Sequence, residues 1–192
     1  MIEPTTASER IRLILVRHGK PDGTWGQDPD PGLDARGREQ SEAIADALEG
    51  LGPLPIVVSP LRRTLETAAP LARRWHVTPT VEVGVGELTA PPDPTPDHAT
   101  WLHSLMTGRG ADAPAVMTPF RERVLGAIRS ITTDAVVVTH FLAINAIVGD
   151  AIGDDRVTIF APAHCSRTVV EVVAGELRLL ELGERTGGSP RL

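Results

Sequence analysis

Residues 11–19 read IRLILVRHG, a short apolar run that ends abruptly in an arginine, a histidine and a glycine. The run is rich in leucine and β-branched residues, and its length predicts a buried strand over 11–16. Glycine, proline and aspartate are frequent in residues 19–32, which predicts a loop directly after the strand. Arg17 and His18 are therefore expected at the point where a buried strand opens into a loop.

Outward from this strand, apolar runs of strand length alternate with segments of helical periodicity. Further strands are predicted at 55–59, 78–85, 135–140, 165–173 and 176–182. Helices are predicted from Asp34 to Gly50, from Pro60 onward, and over 98–107, 118–131 and 141–149. The alternation predicts an α/β fold, a three-layer α/β/α sandwich whose mostly parallel sheet ends in an antiparallel edge.

Local signals mark where several elements begin and end. Asp34 is a predicted N-cap, and Ser59 is predicted to cap a helix whose first residue is Pro60. Ala174-Gly175 is typical of a hairpin turn. The prolines of residues 88–97 exclude regular structure there. We expect one domain over 11–182, loose tails at 1–10 and 183–192, and a short lid over about 88–120 that leaves the pocket open.

Composition narrows the class of protein. The chain has 192 residues, 41% of them hydrophobic, and a net charge of −6, so binding to nucleic acid or a membrane surface through bulk charge is not expected. Aromatic residues make up 3%, too few for a base-stacking surface. No segment has the roughly 20 apolar residues that span a bilayer, and no signal peptide is evident. The single cysteine, Cys165, excludes an internal disulfide and fits a cytoplasmic enzyme.

Polar side chains follow several of the predicted strands, and ligand sites in open α/β sheets lie at the carboxyl ends of strands. The residues expected to converge there are Arg17, His18 and Gly19 after the first strand, Ser59, Arg62 and Arg63 after the second, Glu87 after the third, and His140 after the strand at 135–140. Paired guanidiniums need an anion between them, and their forked donors match phosphate oxygens. The amides at the start of the Pro60 helix are expected to point at the same anion.

A neutral imidazole among such cations is suited to nucleophilic attack on phosphorus, because nearby positive charge disfavours the imidazolium. His18 is the candidate nucleophile, and Glu87 is the candidate proton donor to the leaving oxygen. The arginines are expected to neutralise the charge of the transferring phosphoryl group.

These segments resemble the histidine phosphatase superfamily, also called the phosphoglycerate-mutase-like family. The matching stretches, in order, are LVRHG (15–19), LDARGREQSEAIADAL (33–48), SPLRRTLETA (59–68), GEL (86–88) and VVVTHF (136–141). The resemblance implies that His18 forms a phosphohistidine, that Arg17, Arg63 and His140 bind the phosphoryl group, and that Glu87 protonates the leaving group. It implies no metal and no other cofactor. Gly19, Arg62 and Phe141 are further candidates for contact with the phosphate or substrate.

The chain departs from the family pattern at several positions. Phe141-Leu142 replaces the common Gly-Gly pair after the second histidine, which predicts a more apolar substrate contact. The segment after Glu87 is atypical, so Glu82 remains an alternative proton donor, and Arg62 remains an alternative to Arg63. The stretch RHGKPDGTW lacks the serine and asparagine of the family's mutases, which favours a phosphatase that acts on phosphomonoesters.

Other functions and other residues stay open as alternatives. A phosphoglycerate-type mutase, a metal-dependent hydrolase and a non-catalytic phosphate-binding module are the rival functions. The expected partner is a small phosphorylated metabolite or a phosphorylated protein side chain, and a homodimer is possible. We expect His164 and Cys165 to be structural, and His76, His98 and His103 to lie at the surface. The acidic loop (Asp22, Asp28, Asp30, Asp34) is not expected to hold a metal. The arginines at 12, 73, 74, 121, 123 and 129 are expected to be solvated charges. Trp25 and Trp101 are expected near the pocket mouth.

Overall fold

A computed structural model of the chain describes residues 10–23, 28, 30–88, 98–109 and 112–186, with side chains from 98 to 100, 102 and 104 left out. Trp25 and residues 89–97 of the proline-rich stretch lie outside the described residues. The strands are β1 (Arg10–Arg17), β2 (Ile56–Val58), β3 (Thr80–Val81), β4 (Ala135–Thr139), β5 (Arg167–Val173) and β6 (Glu176–Glu181). The helices are α1 (Ala35–Leu48), α2 (Arg62–Trp75), α3 (His98–Thr107), α4 (Met117–Arg129) and α5 (Phe141–Ile152).

The strands form one sheet in the order β3-β2-β4-β1-β5-β6. β1, β2, β3 and β4 pair in parallel, whereas β5 pairs antiparallel with both β1 and β6. The β5–β6 turn at Ala174 and Gly175 has positive φ angles at both residues, as a tight hairpin requires. The predicted α/β fold with an antiparallel edge is thus confirmed.

Alternate residues of β1 point into two separate hydrophobic cores. Leu13 and Leu15 belong to the core that includes residues of α3, α4 and α5. Ile14 and Val16 belong to the core that includes residues of α1 and α2. Because every side chain from 13 to 16 is buried on one face or the other, the strand lacks polar alternation in its sequence.

The start of α2 differs from the prediction. The helix begins at Arg62 with Leu61 in the N-cap position, not at Pro60 with Ser59 as the cap. The Ser59 hydroxyl is buried and lies 2.8 Å from His140 Nε2, so it belongs to the strand-end cluster. The Arg62 amide donates to the Asp30 carboxylate at 2.9 Å, so this helix end already has an internal anion.

The third strand and the fifth helix also differ in extent. β3 has two residues, and a 3-10 turn at Val83–Val85 follows it because the Glu82 carboxylate accepts a hydrogen bond from the Gly84 amide at 2.6 Å. α5 runs through Gly149 to Ile152 and ends at Gly153, whose φ of 69° is left-handed.

The first four residues of the predicted second tail are held to the rest of the structure. Residues 183–186 pair with the segment 161–163 through two backbone hydrogen bonds of 2.8 Å and an isolated antiparallel bridge. Gly183 also donates its amide to the Thr168 hydroxyl of β5 at 3.2 Å. These bonds hold the segment to the sheet. Among the helices of the described ranges, none has both the length and the apolar character that crossing a bilayer requires.

Candidate active site

His18 lies directly after β1, and its side chain is buried. Its Nδ1 donates a hydrogen bond to the carbonyl oxygen of Gly19 at 2.8 Å, which leaves Nε2 without a proton in the neutral ring. Burial holds the pKa of His18 well below its ordinary value, and the positive charges of Arg63 and Arg17 lower it further. The imidazole is therefore neutral near neutral pH, and its Nε2 carries an unshared electron pair.

His140 follows β4 and is completely buried beside His18, with 5.2 Å between the ring centroids. Its Nδ1 lies 3.4 Å from Arg63 Nη2, and because a guanidinium only donates, Nδ1 is the acceptor. Its Nε2 then carries the proton and donates to the Ser59 hydroxyl. Burial lowers the pKa of His140 well below its ordinary value, with further lowering from His18 and the arginines.

Arg17 and Arg63 bring two guanidiniums to the same place. Arg17 Nη1 donates to the Pro162 carbonyl at 2.7 Å, and its Cζ lies 5.3 Å from the centroid of the Phe141 ring. Its Nε is buried and has no hydrogen-bond partner among the described residues. Burial lowers the pKa of both arginines, which nevertheless stay charged because a guanidinium is never deprotonated at physiological pH. An unpaired buried donor on a cation indicates an anion-binding position.

Glu87 follows the 3-10 turn, and its carboxyl group is held by two backbone amides. Oε1 accepts from Leu88 at 3.0 Å, and Oε2 accepts from Leu142 in the first turn of α5 at 3.1 Å. Burial raises the pKa of Glu87, and this effect exceeds the opposing influence of the two amides and of Arg63 and Arg17. The carboxyl group thus favours the protonated form that a general acid needs.

His18, Arg17, Arg63 and Glu87 line a cavity of about 470 Å³, a volume typical of small-molecule sites. The lining also includes Phe141 and His164, together with the apolar Leu88, Trp101, Leu105, Met106 and Leu142. His140 does not line this cavity, and it approaches the site through Arg63 and the His18 ring.

Two predicted phosphate ligands do not reach the cavity. The Arg62 side chain is 63% exposed and pairs with Glu66, 2.7 Å from Nε to Oε1, because the first turn of α2 directs it to solvent. The Gly19 amide donates to the Thr67 hydroxyl at 2.9 Å, so it has no free donor for phosphate. Arg63 is the arginine of the adjacent pair that lines the cavity, and Gly19 instead orients His18 through its carbonyl.

The structure adds His164 to the candidate site. Its ring centroid lies 5.6 Å from that of His18, and it lines the same cavity. Burial lowers the pKa of His164 to about 4, aided by Arg17. No local sequence pattern predicts this position of His164, because it depends on the pairing of β1 with β5. In that pairing Val16 lies opposite Arg167, so the residues just before β5 lie beside His18.

Arg121 and Arg123 are a second correction, because both were predicted as solvated charges. The guanidinium of Arg123 donates to three carbonyls of the turn before Glu87, and that of Arg121 donates to three carbonyls of residues 154–156. A periodic pattern shows only that such residues lie on a polar helix face. It does not show which backbone carbonyls that face meets.

Two aspartates of the acidic loop, Asp30 and Asp34, have structural partners. Asp34 caps α1 by accepting from the Gly37 amide at 2.6 Å, and it also pairs with Lys20. Asp30 accepts from the Arg62 amide and lies 3.9 Å from Arg63 Nη1. Within the described ranges, no group of three or more metal-ligating side chains comes together. Burial raises the pKa of Cys165 to about 12, so its thiol stays protonated and is a poor nucleophile.

Comparison with solved structures shows the same fold. A phosphoserine phosphatase from Entamoeba histolytica, in complex with 3-phosphoglyceric acid, matches with a TM-score of 0.73 at 17% identity, covering 92% of this chain and 98% of that one. A mycobacterial glucosyl-3-phosphoglycerate phosphatase, in complex with VO3, matches with a TM-score of 0.70 at 24% identity, covering 89% and 98%.

Curated proteins match over shorter segments. A glucosyl-3-phosphoglycerate phosphatase of Mycobacterium tuberculosis is 31% identical over 115 residues, which cover 58% of this chain and 48% of that protein. An uncharacterised protein of the same species is 41% identical over 70 residues, covering 34% and 35%. The matched segments thus span less than half of either relative. The family model of the histidine phosphatase superfamily, branch 1, matches residues 13–185. With this match over nearly its whole length, the chain belongs to the histidine phosphatase superfamily, branch 1.

Proposed function

We propose that this protein is a metal-independent phosphatase that hydrolyses phosphomonoesters through a phosphohistidine on His18. The observation that carries the proposal is the fixed tautomer of His18. The Gly19 carbonyl holds Nδ1–H, and Nε2 is left as a nucleophile in a cavity that two guanidiniums line. Membership of the superfamily supports the same chemistry.

In the first step, Nε2 of His18 attacks phosphorus, a P–N bond forms, and the bond from phosphorus to the leaving oxygen breaks. Arg17 and Arg63 neutralise the charge on the transferring oxygens. Glu87, whose protonated form is favoured because burial raises its pKa, gives its proton to the leaving oxygen. The alcohol leaves neutral, and the enzyme holds a phosphohistidine and a carboxylate.

In the second step, a water molecule attacks phosphorus and the P–N bond breaks. The Glu87 carboxylate accepts the proton of the attacking water, so the acid of the first step becomes the base of the second. Inorganic phosphate is released, and His18 and Glu87 return to their starting protonation states. Each group that changes its protonation is restored within one turnover.

The cavity supports small phosphorylated metabolites or phosphorylated protein side chains as substrates. Apolar side chains also line the cavity, and they suit the carbon skeleton of a small ester; they are Phe141, Leu142, Trp101 and Met106. We expect broad specificity across a panel of small phosphate esters. We place the enzyme in the cytoplasm, on the support of its single cysteine.

The test is hydrolysis of nitrophenyl phosphate, with excess chelator, by the wild type, His18→Ala and the control His76→Asn. His76 is exposed and ends α2 in a left-handed conformation, which asparagine tolerates. We expect turnover by the wild type and the control and none by His18→Ala. Quenched reactions should contain an acid-labile, alkali-stable phosphoenzyme only when His18 is present.

Each rival function gives a different result. Activity that a chelator abolishes and a divalent ion restores would indicate a metal-dependent hydrolase. Activity that requires a bisphosphorylated primer would indicate a mutase. Thermal stabilisation by inorganic phosphate without turnover of any ester in the panel would indicate a binding module.

A further inference from the structure

The turn that leads into Glu87 is held by side chains from outside it. Arg123 of α4 donates to the carbonyl of Val83 at 2.6 Å, to that of Gly84 at 2.9 Å and to that of Gly86 at 3.2 Å. The hydroxyl of Thr139, at the end of β4, donates to the remaining carbonyl, that of Val85, at 2.5 Å. Four consecutive carbonyls before the carboxylic acid therefore have side-chain donors from other elements.

The guanidinium of Arg123 is itself fixed. Its Cζ lies 5.1 Å from the centroid of the Phe120 ring on the same helix. A Cβ added at Gly84 would overlap the side chain of Ala127, so the turn lies directly against α4. The guanidinium group is planar and lies between the Phe120 ring and the three carbonyls. It therefore loses little conformational entropy when it binds those carbonyls.

We propose that Arg123 is a positioning residue for the proton transfer at Glu87. By fixing the turn at 83–86, it fixes the point from which the Glu87 side chain extends to the amides of Leu88 and Leu142. The inference rests on the proposed function, since it assigns Arg123 a part in the same proton transfer. Small displacements of a catalytic group cost large factors in rate, so a loosened turn lowers the efficiency of the acid.

Loss of a general acid has a characteristic kinetic signature. An activated leaving group, such as dinitrophenolate, departs without a proton, whereas phenolate needs one. A defect in Glu87 thus slows phenyl phosphate much more than dinitrophenyl phosphate. A general loss of folded protein slows both substrates equally. The ratio of the two kcat/KM values, measured on one sample, does not depend on the fraction of active enzyme.

Arg121 provides a matched control on the same helix. It donates to the carbonyls of Asp154, Asp155 and Arg156 at 3.2–3.4 Å, which lie just after α5. It therefore makes the same kind of contact as Arg123, three backbone carbonyls on one guanidinium, but away from Glu87. A purely structural role for such arginines predicts the same behaviour from Arg121→Lys and Arg123→Lys.

The experiment measures kcat/KM for phenyl and dinitrophenyl phosphate with the wild type, Glu87→Gln, Arg123→Lys, Arg121→Lys and the double variant of 87 and 123. Lysine keeps the positive charge and removes the fork. We expect Arg123→Lys to lose about 10-fold or more on phenyl phosphate and less than about threefold on dinitrophenyl phosphate. Arg121→Lys should keep the wild-type ratio. The preference of the double variant for dinitrophenyl over phenyl phosphate should be no greater than that of Glu87→Gln alone, because residues 87 and 123 act on the same proton transfer.

Equal losses on both substrates for Arg123→Lys, or the same ratio change for Arg121→Lys, would overturn the inference while leaving the phosphatase intact. The inference would also be overturned if Arg123→Lys had wild-type kcat/KM values on both substrates and a wild-type melting temperature. Failure of the wild type to hydrolyse either ester would instead reject the proposed function. Thermal unfolding of each variant shows whether both lysine substitutions leave the protein folded.

Discussion

The backbones of Gly19 and Gly37 touch: a Cβ on Gly19 would lie only 2.7 Å from the carbonyl oxygen of Gly37. A Cβ on Gly37 would come closer still to the carbonyl oxygen of Lys20. Gly19, which follows His18, and Gly37, which lies in α1, thus form a single backbone contact. This contact packs the loop after His18 directly against α1. Two segments far apart in the sequence therefore need glycine for a single reason.

Gly37→Ala tests this contact. Overpacking of backbone against backbone should destabilise the protein by about 1–3 kcal/mol and should displace the Gly19 carbonyl that holds His18. Gly126→Ala, in α4, is the control, because a Cβ there meets nothing within 4 Å. That variant should gain about 0.5–1 kcal/mol from helix propensity. Urea denaturation gives both values, and equal stability of the two variants would refute the contact.

The protonation of Glu87 makes stability depend on pH with a defined sign. Its pKa is raised by folding, so its contribution is full below the ordinary value of 4.5 and is lost as pH rises through the folded value. Glu87→Gln has no such loss, so its stability relative to the wild type should rise as pH increases above 4.5. Its amide nitrogen cannot accept either backbone hydrogen bond, which costs a constant amount at every pH. Denaturation midpoints across this range measure the change, and a relative stability that falls as pH rises would contradict the sign.

The same carboxyl group should set the alkaline limb of activity. In the proposed mechanism, phosphoryl transfer to His18 needs protonated Glu87, whereas burial lowers the pKa of His18 and so favours its neutral form. For phenyl phosphate, kcat/KM should therefore fall as pH rises through the pKa of Glu87. Glu87→Gln should lose most of its rate on this ester, by a factor of about 10²–10⁴, and should lack this limb. A limb that persists in the variant would assign it to another group.

His164 gives the opposite dependence, because folding lowers its pKa to about 4. Its contribution to stability is full above the ordinary pKa of 6.5 and is lost as pH falls toward 4. One such group changes stability by at most about 1.4 kcal/mol per pH unit in this window. His164→Gln should show a shallower acid decline than the wild type. Equal slopes in the two proteins would contradict the lowered pKa of His164.

Cys165 should resist thiol reagents. Burial raises its pKa to about 12, and the reactive species is the thiolate. Incubation with iodoacetamide near pH 8 should leave the folded protein unmodified and fully active, whereas protein unfolded in urea should be alkylated. Mass spectrometry and residual activity report the two outcomes, and rapid alkylation of the folded protein would contradict the buried environment.

Much of the fold could be predicted because the strands that carry the site contain continuous apolar runs. Residues 13–16 of β1 and all of β4 are buried, so these runs lack the alternation of a strand with one exposed face. The start of α2 could not be predicted from local sequence. Ser59-Pro60 is a good capping signal, but the Ser59 hydroxyl is bonded to His140, a partner 81 residues away that no local pattern shows.

The site residues differ in the same way: some directly follow strands, and others depend on contacts between elements. Arg17, His18 and His140 directly follow strands, so their convergence could be expected from the sheet alone. The choice between Arg62 and Arg63 depends on where α2 begins. The sequence predicts that start at Pro60, two residues too early, so it does not show which arginine lines the cavity. His164 and Arg123 act through contacts between elements, namely the antiparallel pairing of β5 with β1 and the packing of α4 on the turn at 83–86.

The position of β1 in the sheet has a consequence for biosynthesis. This strand pairs with β4 on one edge and β5 on the other, and both are formed by the second half of the chain. A ribosome therefore releases the apolar residues 13–16 long before either partner exists, with both edges open to other chains. The surroundings of His18, which follows the strand, are assembled at the same late moment. Nascent or truncated forms that end before residue 173 should be aggregation-prone and inactive together.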